Sequence, residues 1–304
     1  MISRDAIEAA ARRLTGRVRR TPVLTDGPVG YKLELVQHAG SFKTRGMFNK
    51  ILTAAEDGLP AAGIIAASGG NAGLAAAYAA RELGVPAEIF VPVTAPPVKV
   101  AKLAKLGARV VQAGVEYAEA FAAASVRGAE TGALFCHAYD DADMVAGNGT
   151  VALELLEQLP AGFDTVLVAV GGGGLIAGVA AALHGQAKVV AVEPRNARAL
   201  NAALDAGAAV DVPVSGVAAD SLGARRAGAI AVETAVAAGL SSVLVDDQAI
   251  VEARRRLWED YRLVVEHGTA CAQAALTSGA YVPAVGERVI VLLCGANTDP
   301  ADLA

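Results

Sequence analysis

The stretch Thr165-Val166-Leu167-Val168-Ala169-Val170-Gly171-Gly172-Gly173-Gly174-Leu175-Ile176-Ala177 decides how the rest of the chain is read. Residues 165–187 contain no Asp, Glu, Lys or Arg, a length that would cross a bilayer as one helix. Four consecutive glycines argue against that helix, because each costs about 1 kcal/mol relative to alanine. The residues before the glycines are mostly β-branched and those after are rich in Ala and Leu, so the segment reads as strand, turn, helix. Such a loop leaves free N–H groups at a helix N-terminus, where an anion is favoured.

The same alternation extends outward. Strands are expected at 31–36, 63–67, 87–91, 109–113, 188–193, 242–245 and 288–293. Helices are expected at 3–14, from Gly40-Ser41 to about 53, and at 72–83, 98–106, 116–131, 147–158, 175–184, 197–206, 225–238, 248–263 and 269–278, with Ser3 as the first N-cap. This order predicts an α/β fold of two open parallel sheets with helices on both faces. Turn residues gather near 58–62 and 137–143, which divides the chain into a large unit, 1–62 and 139–304, and a small one, 63–138.

Composition narrows the function. Of 304 residues 54% are hydrophobic and 19% charged, which excludes a disordered chain. With 26 Lys and Arg against 31 Asp and Glu the net charge is −5, and no basic stripe is present, so no nucleic-acid partner is expected. Cys136, Cys271 and Cys294 are too scattered for a disulfide framework or a zinc site. His38, His137, His184 and His267 have no metal-ligand spacing. The first 20 residues are Arg-rich without an apolar run, so no secretory signal is read and a cytoplasmic protein without membrane contact is expected.

Four loops carry candidate chemistry. The first is residues 171–174, where a phosphate fits. Gly172-Gly173-Gly174-Leu175-Ile176-Ala177 also matches the dinucleotide pattern G-x-G-x-x-A, with Glu193 at the end of the next strand as its ribose acid, so an NAD site is a rival. The second is Ser41-Phe42-Lys43-Thr44-Arg45-Gly46. A lysine is ordinarily solvated surface, but at a helix entry its amine becomes a nucleophile if burial lowers its pKa. The third, Ala67-Ser68-Gly69-Gly70-Asn71-Ala72-Gly73, is either a capped helix start or a carboxylate nest. The fourth, Leu293-Cys294-Gly295-Ala296-Asn297, holds a cysteine that is either core or aimed at a ligand.

Taken in order, these four loops resemble the fold-type II pyridoxal-phosphate enzymes, and most closely the serine/threonine dehydratases with their serine racemase relatives. Arg20-Thr21-Pro22, Tyr31-Lys32-Leu33-Glu34, Ala146-Gly147-Asn148-Gly149-Thr150 and Val192-Glu193-Pro194 support the resemblance, which runs from about Thr21 to Asn297. It implies pyridoxal 5′-phosphate as cofactor and demotes the NAD reading. It also implies that Lys43 is the Schiff-base lysine, that Phe42 lies against the pyridine ring, and that Asn71 bonds the ring hydroxyl. Gly171, Gly172, Gly173, Gly174 and Leu175 would hold the phosphate, Glu266 would lie near the ring, and Cys294 would contact the ring nitrogen. Ser68, Gly69, Gly70, Asn71 and Ala72 would bind the substrate carboxylate, with Ser68 joining Lys43 as a catalytic residue. The implied reaction removes water from L-threonine- or L-serine-type amino acids. The relatives further imply a homodimer and a potassium-like monovalent cation on the carbonyls of Ala197, Leu222 and Ala224.

Departures from the family refine the expectation. Racemase relatives carry a second serine where this chain has Gly69, so racemisation is not expected. Glu266-His267-Gly268-Thr269 replaces a Glu-Pro segment, and His267 is read as a surface histidine. Ser215 stands where racemase-like relatives have an acidic metal ligand, while Asp220 remains. Lys43-Thr44-Arg45 differs from the Lys-Asp-Arg of cysteine synthases, which argues against β-replacement. With the sequence ending soon after Asn297, no regulatory domain is expected.

Overall fold

A computed structural model describes residues 2–303. Two sheets organise it. The larger has six strands: β1 (Val23–Asp26), β2 (Val29–Lys32), β7 (Thr165–Ala169), β8 (Lys188–Pro194), β9 (Ser241–Val245) and β10 (Val289–Leu292). Their order is β1-β2-β10-β7-β8-β9, parallel except for the antiparallel edge pair β1–β2. The smaller is wholly parallel, with order β5-β4-β3-β6, from β3 (Ile64–Ala67), β4 (Ala87–Val91), β5 (Arg109–Gln112) and β6 (Leu134–Phe135).

Side-chain alternation explains why both sheets are covered twice. In β7, Val166 and Val168 enter one core, and Leu167 and Ala169 enter the other. The first core is closed by α1 (Arg4–Leu14), α6 (Ala142–Gln158), α7 (Gly174–Leu183), α8 (Ala199–Ala206) and α10 (Ala229–Ala237). The second is closed by α11 (Asp247–Tyr261), α12 (His267–Thr277) and the short α9 (Ala219–Leu222). In the smaller sheet, Ile64 and Ala66 meet α2 (Lys43–Glu56), α3 (Asn71–Leu83) and α4 (Pro97–Lys105), while Ile65 and Ala67 meet α5 (Tyr117–Thr131). Leu14, Met47, Phe48, Ile51 and Met144 share that first face, so the small sheet's core extends beyond residues 63–138.

Three helices bring distant loops together through glycine contacts. A Cβ on Gly147 of α6 would stand 2.6 Å from the Arg45 carbonyl oxygen of α2, and one on Gly149 would stand 2.8 Å from the Gly178 carbonyl oxygen of α7. The helix begun by Lys43 and the helix begun by the glycine loop are therefore both clamped on α6.

Several expected bounds shift for local reasons. The strand expected at 31–36 ends at Lys32, because Glu34 turns inward to meet Thr21 and Arg45. The helix expected from 147 begins at Ala142, because Asp141 accepts the N–H groups of Asp143 and Met144. Strand β6 and helix α9 are too short to show in the sequence pattern, and β1 is an edge strand whose side chains are mostly exposed, without an apolar run to announce it.

Candidate active site

Lys43 opens α2 beside the end of β10. Ser41 bridges Gly295, the Phe42 N–H donates to the Cys294 carbonyl at 3.0 Å, and the Ala296 N–H donates to the Gly40 carbonyl at 3.0 Å. The Lys43 amine donates to the Ala138 carbonyl at 2.6 Å and stands 5.0 Å from the Phe42 ring centre. No carboxylate partners it among the described residues, and burial lowers its pKa to about 8.

The neighbour of Ala138 braces the glycine loop. A Cβ on Gly172 would enter the Tyr139 ring at 2.3 Å, and one on Gly174 would meet the Tyr139 carbonyl oxygen at 2.4 Å. Gly173 has φ +89° and lies against Ala231, so it needs both glycine's backbone freedom and its missing side chain. Among the described residues the N–H groups of Gly171, Gly172 and Gly173 donate no hydrogen bond, and the α7 N-terminus adds more free donors. This donor set fits a phosphate. Asp140 accepts the Ala229 and Ile230 N–H groups, and the Gly228 N–H donates to the Gly172 carbonyl, which fixes the opposite wall.

The third loop is tied to the fourth. Asn71 Nδ2 stands 2.9 Å from both Glu266 oxygens, and Asn71 Oδ1 accepts from Asn297 Nδ2 at 2.6 Å. The Asn297 N–H donates to Glu266 at 2.8 Å. Glu266 is 6% exposed, and burial raises its carboxyl pKa. Ser68 Oγ accepts the Gly70 N–H at 3.2 Å, Ala72 is buried, and space opens at Gly70. At Gly69 the nearest side chains are Val91 and the stem of Lys99. Cys294 is buried, which pushes its thiol pKa up to about 12, and its sulfur lies 3.2 Å from Thr269 Oγ1.

A cleft of about 440 Å³ opens beside these loops, lined by Gly69, Gly70, Asn71 and Glu266. Lys99 of α4 and Asp220 of α9 form an ion pair across its lining.

Comparison with known proteins places these loops in context. Residues 14–295 match the family described as pyridoxal-phosphate dependent enzyme. The chain belongs to that family. It is 36% identical over 310 residues to L-threonine ammonia-lyase of Geobacter sulfurreducens, covering 98% of this chain and 76% of the relative. It is 38% identical over 311 residues to phenylserine dehydratase of Ralstonia pickettii, covering 99% and 94%. The structure of maize serine racemase superposes with a TM-score of 0.92 at 30% identity, covering 99% of this chain and 95% of that one. These neighbours have the fold-type II architecture, and the cofactor of the family is pyridoxal phosphate.

Within this pyridoxal-phosphate enzyme, Phe42, Lys43, the Ser68–Ala72 loop, Glu266 and Cys294 converge through the 294–297 segment, and Lys43 meets the glycine loop through Ala138 and Tyr139. Glu193 does not line the cleft. It is buried at the end of β8 and accepts the Leu200 and Asn201 N–H groups, so the ribose acid of the NAD rival is a helix cap. His267 is half-buried at the start of α12. Ala197 is buried after β8, Leu222 ends α9 with its backbone against Gly171, and Ala224 follows half-buried. Among the described residues no three His, Cys, Asp or Glu side chains gather as a metal cluster, and no helix is long and apolar enough to cross a membrane. Sequence reasoning missed Ala138, Tyr139 and Thr269. Ala138 acts through its carbonyl, which no residue type announces, and the other two matter only through contacts with distant loops.

Proposed function

We propose that this enzyme is an ammonia-lyase that eliminates water from L-threonine- or L-serine-type hydroxy amino acids, giving a 2-oxo acid and ammonia. The observation that carries the reading is a half-buried lysine without a carboxylate partner, joined through Ala138 and Tyr139 to a loop of unpartnered N–H groups. The relatives named for threonine and phenylserine support the same reaction class.

Pyridoxal phosphate, when bound, supplies an electron sink for the pair left at the α-carbon. The N–H groups of Gly171, Gly172, Gly173, Gly174 and Leu175 would hold its phosphate, Phe42 would pack its ring, and Asn71, steadied by Glu266 and Asn297, would border its hydroxyl edge. Ser68 and the backbone of Gly69, Gly70 and Ala72 take the substrate carboxylate. Lys43, with its pKa near 8, accepts the α-proton close to neutral pH. The electron pair left at the α-carbon forms the double bond as the β-carbon–oxygen bond breaks, so that the α-proton and the β-hydroxyl are lost together as water, and the released enamine takes up water to give the 2-oxo acid and ammonia. Gly69 carries no side-chain acid, so elimination proceeds without interconversion of L- and D-serine. The carbonyls of Ala197, Leu222 and Ala224 are the oxygen donors for a monovalent cation.

The test is an assay of the purified protein against L-serine, L-threonine, L-phenylserine and 3-hydroxyaspartate. Equal amounts of 2-oxo acid and ammonia are expected from at least one. Rapid D-serine formation, or no 2-oxo acid from any, contradicts the reading.

A further inference from the structure

The Thr269 hydroxyl sits among three hydrogen-bonding groups, Cys294 Sγ and the carbonyl and N–H of Gly295, which together have few hydrogens to share. The Thr269 hydroxyl lies 2.9 Å from the Gly295 carbonyl oxygen and 2.9 Å from the Gly295 nitrogen. The Gly295 carbonyl also accepts the Glu266 N–H at 3.1 Å, but the Thr269 hydroxyl is its closer partner, and because a carbonyl has no hydrogen to give, that contact takes the hydroxyl's single proton. The Gly295 N–H then occupies one of the two hydroxyl lone pairs. One lone pair remains, and the Cys294 sulfur is 3.2 Å away. Only a thiol that donates completes the set. All three groups are buried, so no solvent competes.

We propose that Thr269 is a positioning residue that draws the Cys294 S–H inward, so that the sulfur offers only lone pairs to whatever lies over the end of β10. The consequence rests on the cofactor site proposed above. A pyridine nitrogen placed against Cys294 receives no proton from the thiol, and the electron sink is tempered by that withheld hydrogen bond. Cys294 then acts by filling space, and Thr269 sets its polarity.

The S–H stretching band tests this by infrared difference spectroscopy, because donation lowers its frequency. Subtracting the Cys294→Ala spectrum isolates the Cys294 band from those of Cys136 and Cys271. In cofactor-free protein, Thr269→Val should move that band to higher frequency, and Thr269→Ser should leave it in place. A band that ignores Thr269→Val overturns the proposal. Should the valine variant fail to fold, the unmodified protein still decides, because adding pyridoxal phosphate should leave the band where it was. A downward shift on loading means the thiol donates to the cofactor, and contradicts the inference. The cofactor-free arm stands even if the proposed reaction is wrong.

Discussion

Lys43 and Arg45 stand two residues apart on the first turn of α2, and the protein treats the two cations in opposite ways. Arg45 is 1% exposed and meets Glu34 at 2.7 and 2.8 Å, Glu154 at 2.8 Å and Thr150 at 3.2 Å. Burial works against its charge, but Glu34 and Glu154 outweigh burial and hold its pKa above the ordinary arginine value. Lys43 has one neutral carbonyl, and burial prevails. Lys32 falls between. It is fully buried and shares Glu154 with Arg45, and its other partners are the Thr21 carbonyl and Gln158. Burial lowers its pKa against the pull of Glu154. Burial alone therefore does not make a cation reactive; the supply of carboxylates separates a structural charge from a nucleophile.

The largest effect expected from this contrast is at Lys43. Lys43→Ala should lose covalently held cofactor and reduce turnover by at least about 10²–10⁴-fold, the usual worth of a positioned acid–base group. Its denaturant midpoint should barely move, because it satisfies only one carbonyl. Arg45→Met should do the reverse. Glu34 and Glu154 would lose their main partner, at a cost of about 3–5 kcal/mol in urea unfolding. A mild loss there would mean that the buried network does not hold α2.

Acidity gives a third effect. Only the neutral amine can capture an aldehyde. With a pKa of about 8, the neutral fraction of Lys43 rises roughly 50-fold between pH 6 and pH 8 and then levels off. Stopped-flow capture of pyridoxal phosphate by cofactor-free protein should follow that curve. A rate that keeps climbing tenfold per unit beyond pH 9 would place Lys43 with ordinary lysines. The smallest effect belongs to the Lys99–Asp220 pair, whose aspartate is mostly exposed. Lys99→Met should change unfolding free energy by less than about 1 kcal/mol.

The elements that the sequence announces are those whose chemistry is local. The glycine run after an apolar strand, the lysine at a helix entry and the Ser-Gly-Gly-Asn turn are each contained within a few residues, and the parallel sheets follow from apolar runs of strand length. What stayed hidden depends on chain separation. Arg45 and Glu154 are 109 residues apart, and Lys43 and Ala138 are 95 apart, so no periodicity could pair them. Thr269 reads as one more small residue in an Ala-rich helix until β10 brings Gly295 against it. The true start of α6 was legible in Asp141, which sits before a helix-forming run, but the glycines at 147 and 149 masked it.

The most direct test of the account is reduction of the cofactor-loaded protein with borohydride, followed by proteolysis and mass mapping of the pyridoxyl group. The account predicts a single modified lysine, Lys43, with Lys32, Lys50 and Lys99 unlabelled because each has a carboxylate partner. A pyridoxyl group on any other lysine, with Lys43 unmodified, would contradict it.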